Sequence, residues 1–509
     1  MKNILKTSSL IIWALFASIG CTHSEKIIAF KNVILVTMTE EKILANQTVV
    51  IKGNRIFKIG PVEKTPIPEQ AEVIDGKSAY LMPGLADMHV HLTGEWPLPQ
   101  LDLYLANGVT TVRDLDGRDF MLQWQNEIRA GKRSGPTIYA SGPIIRGYEN
   151  NAFELVGKQK SGYDCVKLYS YFSKKDFRLA LKLARAQSLY TIGHIPFAAG
   201  LDEAIAGGMD EIAHVEELAW ELVDFDRNKV LPAEEWFPYL KQVFYQQFQP
   251  FFHLGLQKIQ KQYLERISNI VQKLKGTSMR VNTTMYLDEV IVQKLSDPEK
   301  FLKLPTSAYL PRKYIHSFLQ SKEKHQRLFK GGEDLAGVKY AIDKALLIQL
   351  HRAGIPLTLG TDAGTGAMGI VPGFAVHEEL RVLTENGFSP YEAIRTATVN
   401  ASSAVAAMTG IDDFGTIEIG KRADFILLEN NPLDDVANIE NRLGVMAAGR
   451  WFDKNEIQNM TSHTVPAGIL KPGEKYRWQV RVSDNGNWLE EQNRVHTRKL
   501  SFKTAETLN

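Results

Sequence analysis

Pro83-Gly84-Leu85-Ala86-Asp87-Met88-His89-Val90-His91 begins as a turn, continues as a short apolar run and closes on two histidines. On a strand, positions two apart face one side, so both imidazoles would converge at the carboxyl end. The same grammar recurs down the chain. Cys165-Val166-Lys167-Leu168 delivers a lysine, Tyr190-Thr191-Ile192-Gly193 leads to His194, and Glu211-Ile212-Ala213 leads to His214. Ile355-Pro356-Leu357-Thr358-Leu359-Gly360 leads through Thr361 to Asp362. Thr110-Thr111-Val112-Arg113 and Thr137-Ile138-Tyr139-Ala140 are further buried runs, and helical patterns such as Lys175 to Ala186 separate some of them. This alternation predicts a parallel α/β fold, and the number of runs fits a (β/α)8 TIM-like barrel better than an open sheet. The polar residues then fall at the carboxyl ends of strands, where such barrels place their chemistry.

Working outward, the barrel is expected over 83–409. Its rhythm is interrupted by inserts at about 216–278 and 286–337, on either side of a seventh strand at Arg280-Val281-Asn282-Thr283-Thr284. The first insert is helical in pattern and aromatic, with Trp220, Trp236, Phe237, Tyr239, Phe244 and Phe248 among its rings. These rings suit either the insert's own packing or a lid or subunit contact over the barrel mouth. Residues 22–82 and 410–462 have strand-and-turn character, and neither has strands enough for a core. They are expected to join in one small β-sandwich domain. Residues 463–509 resemble the last strand pair of a fibronectin type III domain, from Tyr476-Arg477-Trp478 to Leu500-Ser501-Phe502. A β-hairpin of that size must dock on something to be stable.

A chain of 509 residues exceeds one ordinary core, and 44% hydrophobic with 23% charged residues is the composition of a folded globular protein. A formal net charge of +2, without a basic stripe, argues against nucleic acid and leaves a small-molecule or dipeptide-like substrate. Lys2 and Lys6 precede an apolar stretch from Leu10 to Ile19, too short to span a bilayer, that ends in Ser18-Ile19-Gly20-Cys21. Residues 1–21 resemble a bacterial lipoprotein signal, with Cys21 the lipidated residue and Ser18 standing where the pattern prefers leucine. The expectation is an exported lipoprotein facing the periplasm or cell surface, touching the membrane through its lipid alone. Simple secretion or an uncleaved anchor are the alternatives, and a homo-oligomer is open. Cys165 is the other cysteine, so no intramolecular disulfide is expected.

Four imidazoles, a carboxylate and a lysine arriving at strand ends suggest a two-metal hydrolytic site. Taken singly, each has a plainer reading: His194 or His214 as a packed histidine, Asp362 as a helix N-cap, Lys167 as a snorkelling or carboxylate-paired cation. A lysine in a low-dielectric site can instead lose its proton and combine with carbon dioxide, giving an anionic carbamate able to bridge two metals. His377, in His377-Glu378-Glu379-Leu380, is a weaker supporting candidate on a helix.

With these residues, Gly108-Val109-Thr110-Thr111-Val112-Arg113-Asp114 and Glu392-Ala393-Ile394-Arg395-Thr396-Ala397-Thr398 complete a resemblance to the amidohydrolase superfamily. The likeness is to its two-metal branch, near Xaa-Pro dipeptidases and imidazolonepropionase-related proteins. It implies two divalent metal ions, preferably Zn2+, with His89, His91 and Asp362 on one and His194 and His214 on the other. Lys167 would bridge them as the carbamate, made from carbon dioxide. It further implies attack by a metal-bridging hydroxide on an amide bond, Asp362 being the catalytic proton carrier, as in a dipeptidase or prolidase. Arg113 and Asp114 match a structural segment. The chain departs from the dipeptidase pattern after Ser141-Gly142-Pro143, where Ile144-Ile145-Arg146-Gly147-Tyr148-Glu149 replaces a Gly-Gly-His segment. Tyr169, Tyr286 and Arg146 are the substrate-contact candidates. The rivals are a one-metal cyclic-amide hydrolase or deaminase, against which Phe197 counts, and a non-catalytic surface-binding protein.

Overall fold

A computed structural model describes residues 25–462, apart from 94, 95, 97, 98, 149–153, 155, 158–161, 250–255, 312, 317, 318, 321–332 and 365–367. Residues 1–24 and 463–509, and with them Cys21, the lipoprotein-type signal and the fibronectin-like hairpin, lie outside the described residues.

The protein has an α/β fold with parallel sheets at its centre. One is β6 (Leu85–Val90), β7 (Val109–Asp114) and β8 (Thr137–Ala140). The other is β9 (Cys165–Leu168), β10 (Tyr190–Gly193), β11 (Glu211–Ile212), β12 (Arg280–Asn282) and β13 (Leu357–Thr358), paired in that order. Parallel bridges Ser141↔Cys165 and Ile145↔Leu168 join β8 to β9, and Val90↔Ala363 joins the end of β6 to the segment after β13. The eight strands therefore connect in sequence order and return to the first. β6, β7, β9 and β10 are buried at every position, which is why they read as continuous apolar runs.

A buried ion pair braces this centre. The Arg113 guanidinium donates to both Glu211 oxygens, at 2.9 and 2.6 Å, and Tyr190 and Thr358 hydroxyls complete that carboxylate's shell. Arg113 Nε also donates to the Met88 carbonyl, so one side chain ties β6, β7 and β11 together.

The flanks form one eight-stranded sheet. β1 (Ile27–Val36), β2 (Ile43–Lys52), β3 (Arg55–Pro61), β4 (Glu72–Asp75) and β5 (Tyr80–Pro83) come from the amino-terminal side. β14 (Phe425–Leu428), β15 (Arg442–Ala447) and β16 (Arg450–Asp453) come from the carboxyl-terminal side. The seam is the antiparallel β5–β14 pair, Leu81 opposite Leu427. Phe30, Leu35, Val49 and Leu81 share one apolar core with Ile417, Phe425, Leu427 and Met446. Arg422 links sheet and centre by donating to Thr111 Oγ1 at 2.7 Å and to Asp424 at 2.6 Å.

Both inserts are helical. The first includes α1 (Ala233–Phe248), whose Trp236, Leu240, Phe244 and Phe248 join the main core. The second opens with α2 (Met285–Ser296) and packs its own cluster of Tyr286, Leu287, Val290, Phe301 and Leu310 against Ile370 and Val371. Helix α3 (Glu333–Arg352) leads back to β13. Among the described residues no helix is long and apolar enough to cross a membrane.

Candidate metal centre

β6 carries His89 and then His91 to its carboxyl end. There the Asp362 Oδ1 lies 2.9 Å from His91 Nε2 and 3.4 Å from His89 Nε2. The donor atoms of these three residues all fall within 4.8 Å of one another. The Asp362 backbone has φ 58°, a left-handed conformation uncommon for aspartate, and its N–H donates to the His89 carbonyl at 2.8 Å. Gly360 permits this approach, since a Cβ there would lie 2.6 Å from His89 Cβ and 2.1 Å from Asn282 Oδ1. Asp87, in β6, accepts from Thr361 N–H at 3.1 Å and Thr361 Oγ1 at 2.6 Å. It thereby fixes the two polar strand ends against each other.

The second pair of imidazoles is held the same way. His214 Nδ1 lies 2.9 Å from Thr284 Oγ1, and His194 Nδ1 lies 2.6 Å from Glu217 Oε1 and 3.0 Å from Ser170 Oγ. Occupying Nδ1 leaves Nε2 of each ring as the available donor atom. Ring centroids of His89 and His214 are 4.5 Å apart, and those of His194 and His214 are 4.9 Å apart. Lys167 shares the cavity with all four imidazoles. Its Nζ is buried without a hydrogen-bond partner.

Electrostatics distinguish these groups. Burial pushes the Lys167 ammonium down to about 8, against the pull of the Asp362 carboxylate. Burial also pushes His214 down to about 3 and holds His89 well below its ordinary value, so both rings are neutral at pH 7. Burial would lower His91, but its hydrogen bond to Asp362 together with the Asp362 and Asp114 charges leaves it raised. Burial would raise Asp362, but the His91 hydrogen bond and the His91, His214 and Lys167 charges together leave it lowered. His89 donates its Nδ1–H toward the Ala213 carbonyl, 3.1 Å away, which turns the lone pair of Nε2 toward Asp362 Oδ1. Two electron-rich atoms at 3.4 Å are repulsive unless a cation lies between them. That is the test by which the residues fit a metal.

The centre opens into a cavity of about 370 Å3. Its outer wall is largely apolar, with Ile144, Phe197, Trp220, Phe237, Phe244 and Leu287. Tyr169 lines it, 4.1 Å ring to ring from His194. The other two substrate-contact candidates do not lie there. Tyr286 is buried in the second insert's core, and Arg146 contributes its backbone carbonyl to Tyr171 N–H at 3.2 Å. His377 does not line the cavity either, being buried between the Asn107 carbonyl and Arg442. In the aromatic insert some rings join the main core, while Trp220, Phe237 and Phe244 line the cavity. Sequence reasoning missed Asp87, Ser170, Glu217 and Thr284. Glu217 follows His214 by three residues and Asp87 precedes His89 by two, so proximity was the available signal.

Comparison with known proteins agrees with this geometry. Residues 341–452 match the amidohydrolase family model. A structure assigned as a prolidase from Bifidobacterium longum superposes with a TM-score of 0.60 at 21% identity, covering 86% of this chain and 98% of that one. A Xaa-Pro dipeptidase with methionine in its active site superposes with a TM-score of 0.57 at 18% identity, covering 84% and 100%. The ochratoxinase of Aspergillus niger is 37% identical over 86 residues, 17% of this chain. That match spans only 16% of the curated relative's length. A 5-methylthioadenosine/S-adenosylhomocysteine deaminase of Caldanaerobacter subterraneus is 22% identical over 419 residues, 79% of this chain and 84% of its own. Residues 341–452 thus carry the amidohydrolase family's sequence pattern, and the chain shares its parallel α/β fold with solved prolidase and dipeptidase structures.

Proposed function

We propose that the eight connected parallel strands are a (β/α)8 barrel whose centre holds two divalent metal ions and hydrolyses an amide bond of a small, peptide-like substrate. The observation that carries this reading is the convergence of four imidazoles, Asp362 and the partnerless Lys167 amine in one cavity. His89, His91 and Asp362 would hold one ion and His194 and His214 the other, zinc suiting a nitrogen-rich set of this kind. Lys167 would join them as a carbamate. Its neutral amine forms a bond to the carbon of carbon dioxide and releases one proton, leaving a single negative charge shared by two oxygens where an ammonium offered no ligand.

Bound there, the metals would supply Lewis acidity and water acidified toward neutral pH. The chain's own residues do the rest. Asp362, with Oδ1 at the centre, takes the proton released as water adds to the carbonyl and returns it to the departing nitrogen. Glu217 accepts from His194 Nδ1–H and so fixes that ring's tautomer, Ser170 and Thr284 orient His194 and His214, and the apolar outer wall excludes bulk water. Glu217 has one oxygen on His194 and the other on Ile195 N–H at 3.0 Å, so it is occupied rather than poised as a proton donor for deamination.

Elemental mass spectrometry on protein prepared with zinc and bicarbonate tests the centre. About two ions per chain, with turnover of amides abolished by chelator, is the expected result; one ion, indifferent to Lys167→Ala, would sink the two-metal reading. For the amino terminus, we propose lipidation at Cys21 after export. Incorporation of labelled palmitate into wild type and none into Cys21→Ser is the expected outcome; equal labelling rejects it.

A further inference from the structure

Glu379 lies in helix α4 (Phe374–Glu385), fully buried and outside the lining of the cavity. Its two oxygens accept from Met285 N–H at 2.9 Å and Tyr286 N–H at 2.7 Å, the first two amides of α2. Such amides have no partner inside their own helix, and the residue just before the helix ordinarily caps its first turn. Thr284 occupies that position and has a side chain suited to the task, yet its hydroxyl caps nothing in α2. It lies instead 2.9 Å from His214 Nδ1. A carboxylate from α4 thus does the capping that the threonine forgoes, and the hydroxyl is left to the imidazole.

Backbone strain marks the same residue. Thr284 has φ 46° and ψ 33°, left-handed values that are unusual for a β-branched side chain. Such a conformation persists only where the surroundings hold it. Here Thr284 N–H donates to the Gly360 carbonyl at 3.2 Å, and Glu379 grips the next two amides.

We propose that Glu379 is a positioning residue for the metal centre: by capping α2 it holds Thr284 in its left-handed turn, and Thr284 Oγ1 then orients the His214 ring. This rests on the metal-centre reading above and adds to it a carboxylate that acts on the ligand set from outside the cavity. Because Glu379 lines no part of the cavity, its effect passes through Thr284.

Zinc affinity reads this role without turnover. The full chain is titrated with zinc against a fluorescent chelator, and wild type should hold two ions. Glu379→Gln should weaken one of them by about 10–100-fold and leave the other as in wild type. Thr284→Val should weaken the same ion, Thr284→Ser should restore it, and the double variant should lose no more than the larger single loss. Leu81→Ala, a truncation in the flanking sheet's core, should lower stability and leave both affinities unchanged. Unchanged affinities in Glu379→Gln overturn the proposal. So do losses that add in the double variant, or an equal loss in Leu81→Ala. If Glu379→Gln does not fold, as judged by circular dichroism, Glu379→Asp takes its place with the same expectations, since the shorter acid cannot reach both amides. A wild type that takes up a single ion, weakened by Glu379→Gln and no further by the double variant, would leave the positioning role standing and sink the two-metal reading instead.

Discussion

Lys167 and Asp362 do opposite things with burial. The lysine has no partner and loses its proton readily, whereas the aspartate has His91 to hold its charge. Lys167→Ala should therefore lower metal content below two ions per chain without unfolding the protein, as elemental analysis and circular dichroism would report together. Asp362→Asn keeps an oxygen for a metal but cannot carry a proton. Turnover should fall by roughly 10²–10⁴-fold while metal content holds, and an unchanged kcat would exclude the proton-carrying role. His89, His91, Lys167, His194, His214 and Asp362 were all legible from sequence, because each follows an apolar run that the chain repeats. Their orienting partners were not. Thr284 reaches His214 from 70 residues away, and no local pattern marks a hydroxyl for that task.

Between elements, the buried Arg113–Glu211 pair gives β7 and β11 a dependence on pH. Burial alone would raise the Glu211 carboxyl, but the adjacent Arg113 guanidinium and the Tyr190 and Thr358 hydroxyls leave it lowered. A carboxylate depressed in the folded state contributes stability that is fully present above its unfolded value, near 4.5. That contribution is lost as pH falls through the folded value. Glu211→Gln should thus unfold more easily at pH 7, by about 3–5 kcal/mol in chemical denaturation, because Arg113 is left buried and uncompensated. It should also show a shallower loss of stability below pH 4.5 than wild type. Identical acid profiles would mean that the pair is no more than a contact. The strands themselves were legible, since Thr110-Thr111-Val112-Arg113 and Glu211-Ile212-Ala213 read as buried runs. The pairing of Arg113 with Glu211 was not, because it joins residues 98 positions apart.

For the whole molecule, the β5–β14 seam makes the terminal flanks one folding unit. A chain ending at residue 409 would lose β14, β15 and β16, expose Phe30, Leu35 and Leu81, and leave Thr111 without Arg422. It should fail to show a cooperative thermal transition in calorimetry, whereas a chain ending at 462 should melt cooperatively. A cooperative transition in the shorter chain would show that the centre folds without its flanking sheet. The sequence by itself determined the parallel α/β character, the six polar strand ends and the need for both flanks. Those properties follow from periodicity and from how few strands each flank has, and both are local. Tertiary structure alone decided which partner holds each histidine, that Lys167 has none, and that α1 turns Phe237 and Phe244 into the cavity. It also moved Tyr286, Arg146 and His377 away from it. The physical reason is that a side chain's neighbours are set by how distant segments pack, and an insert's amphipathic pattern does not state which of its faces will meet the site.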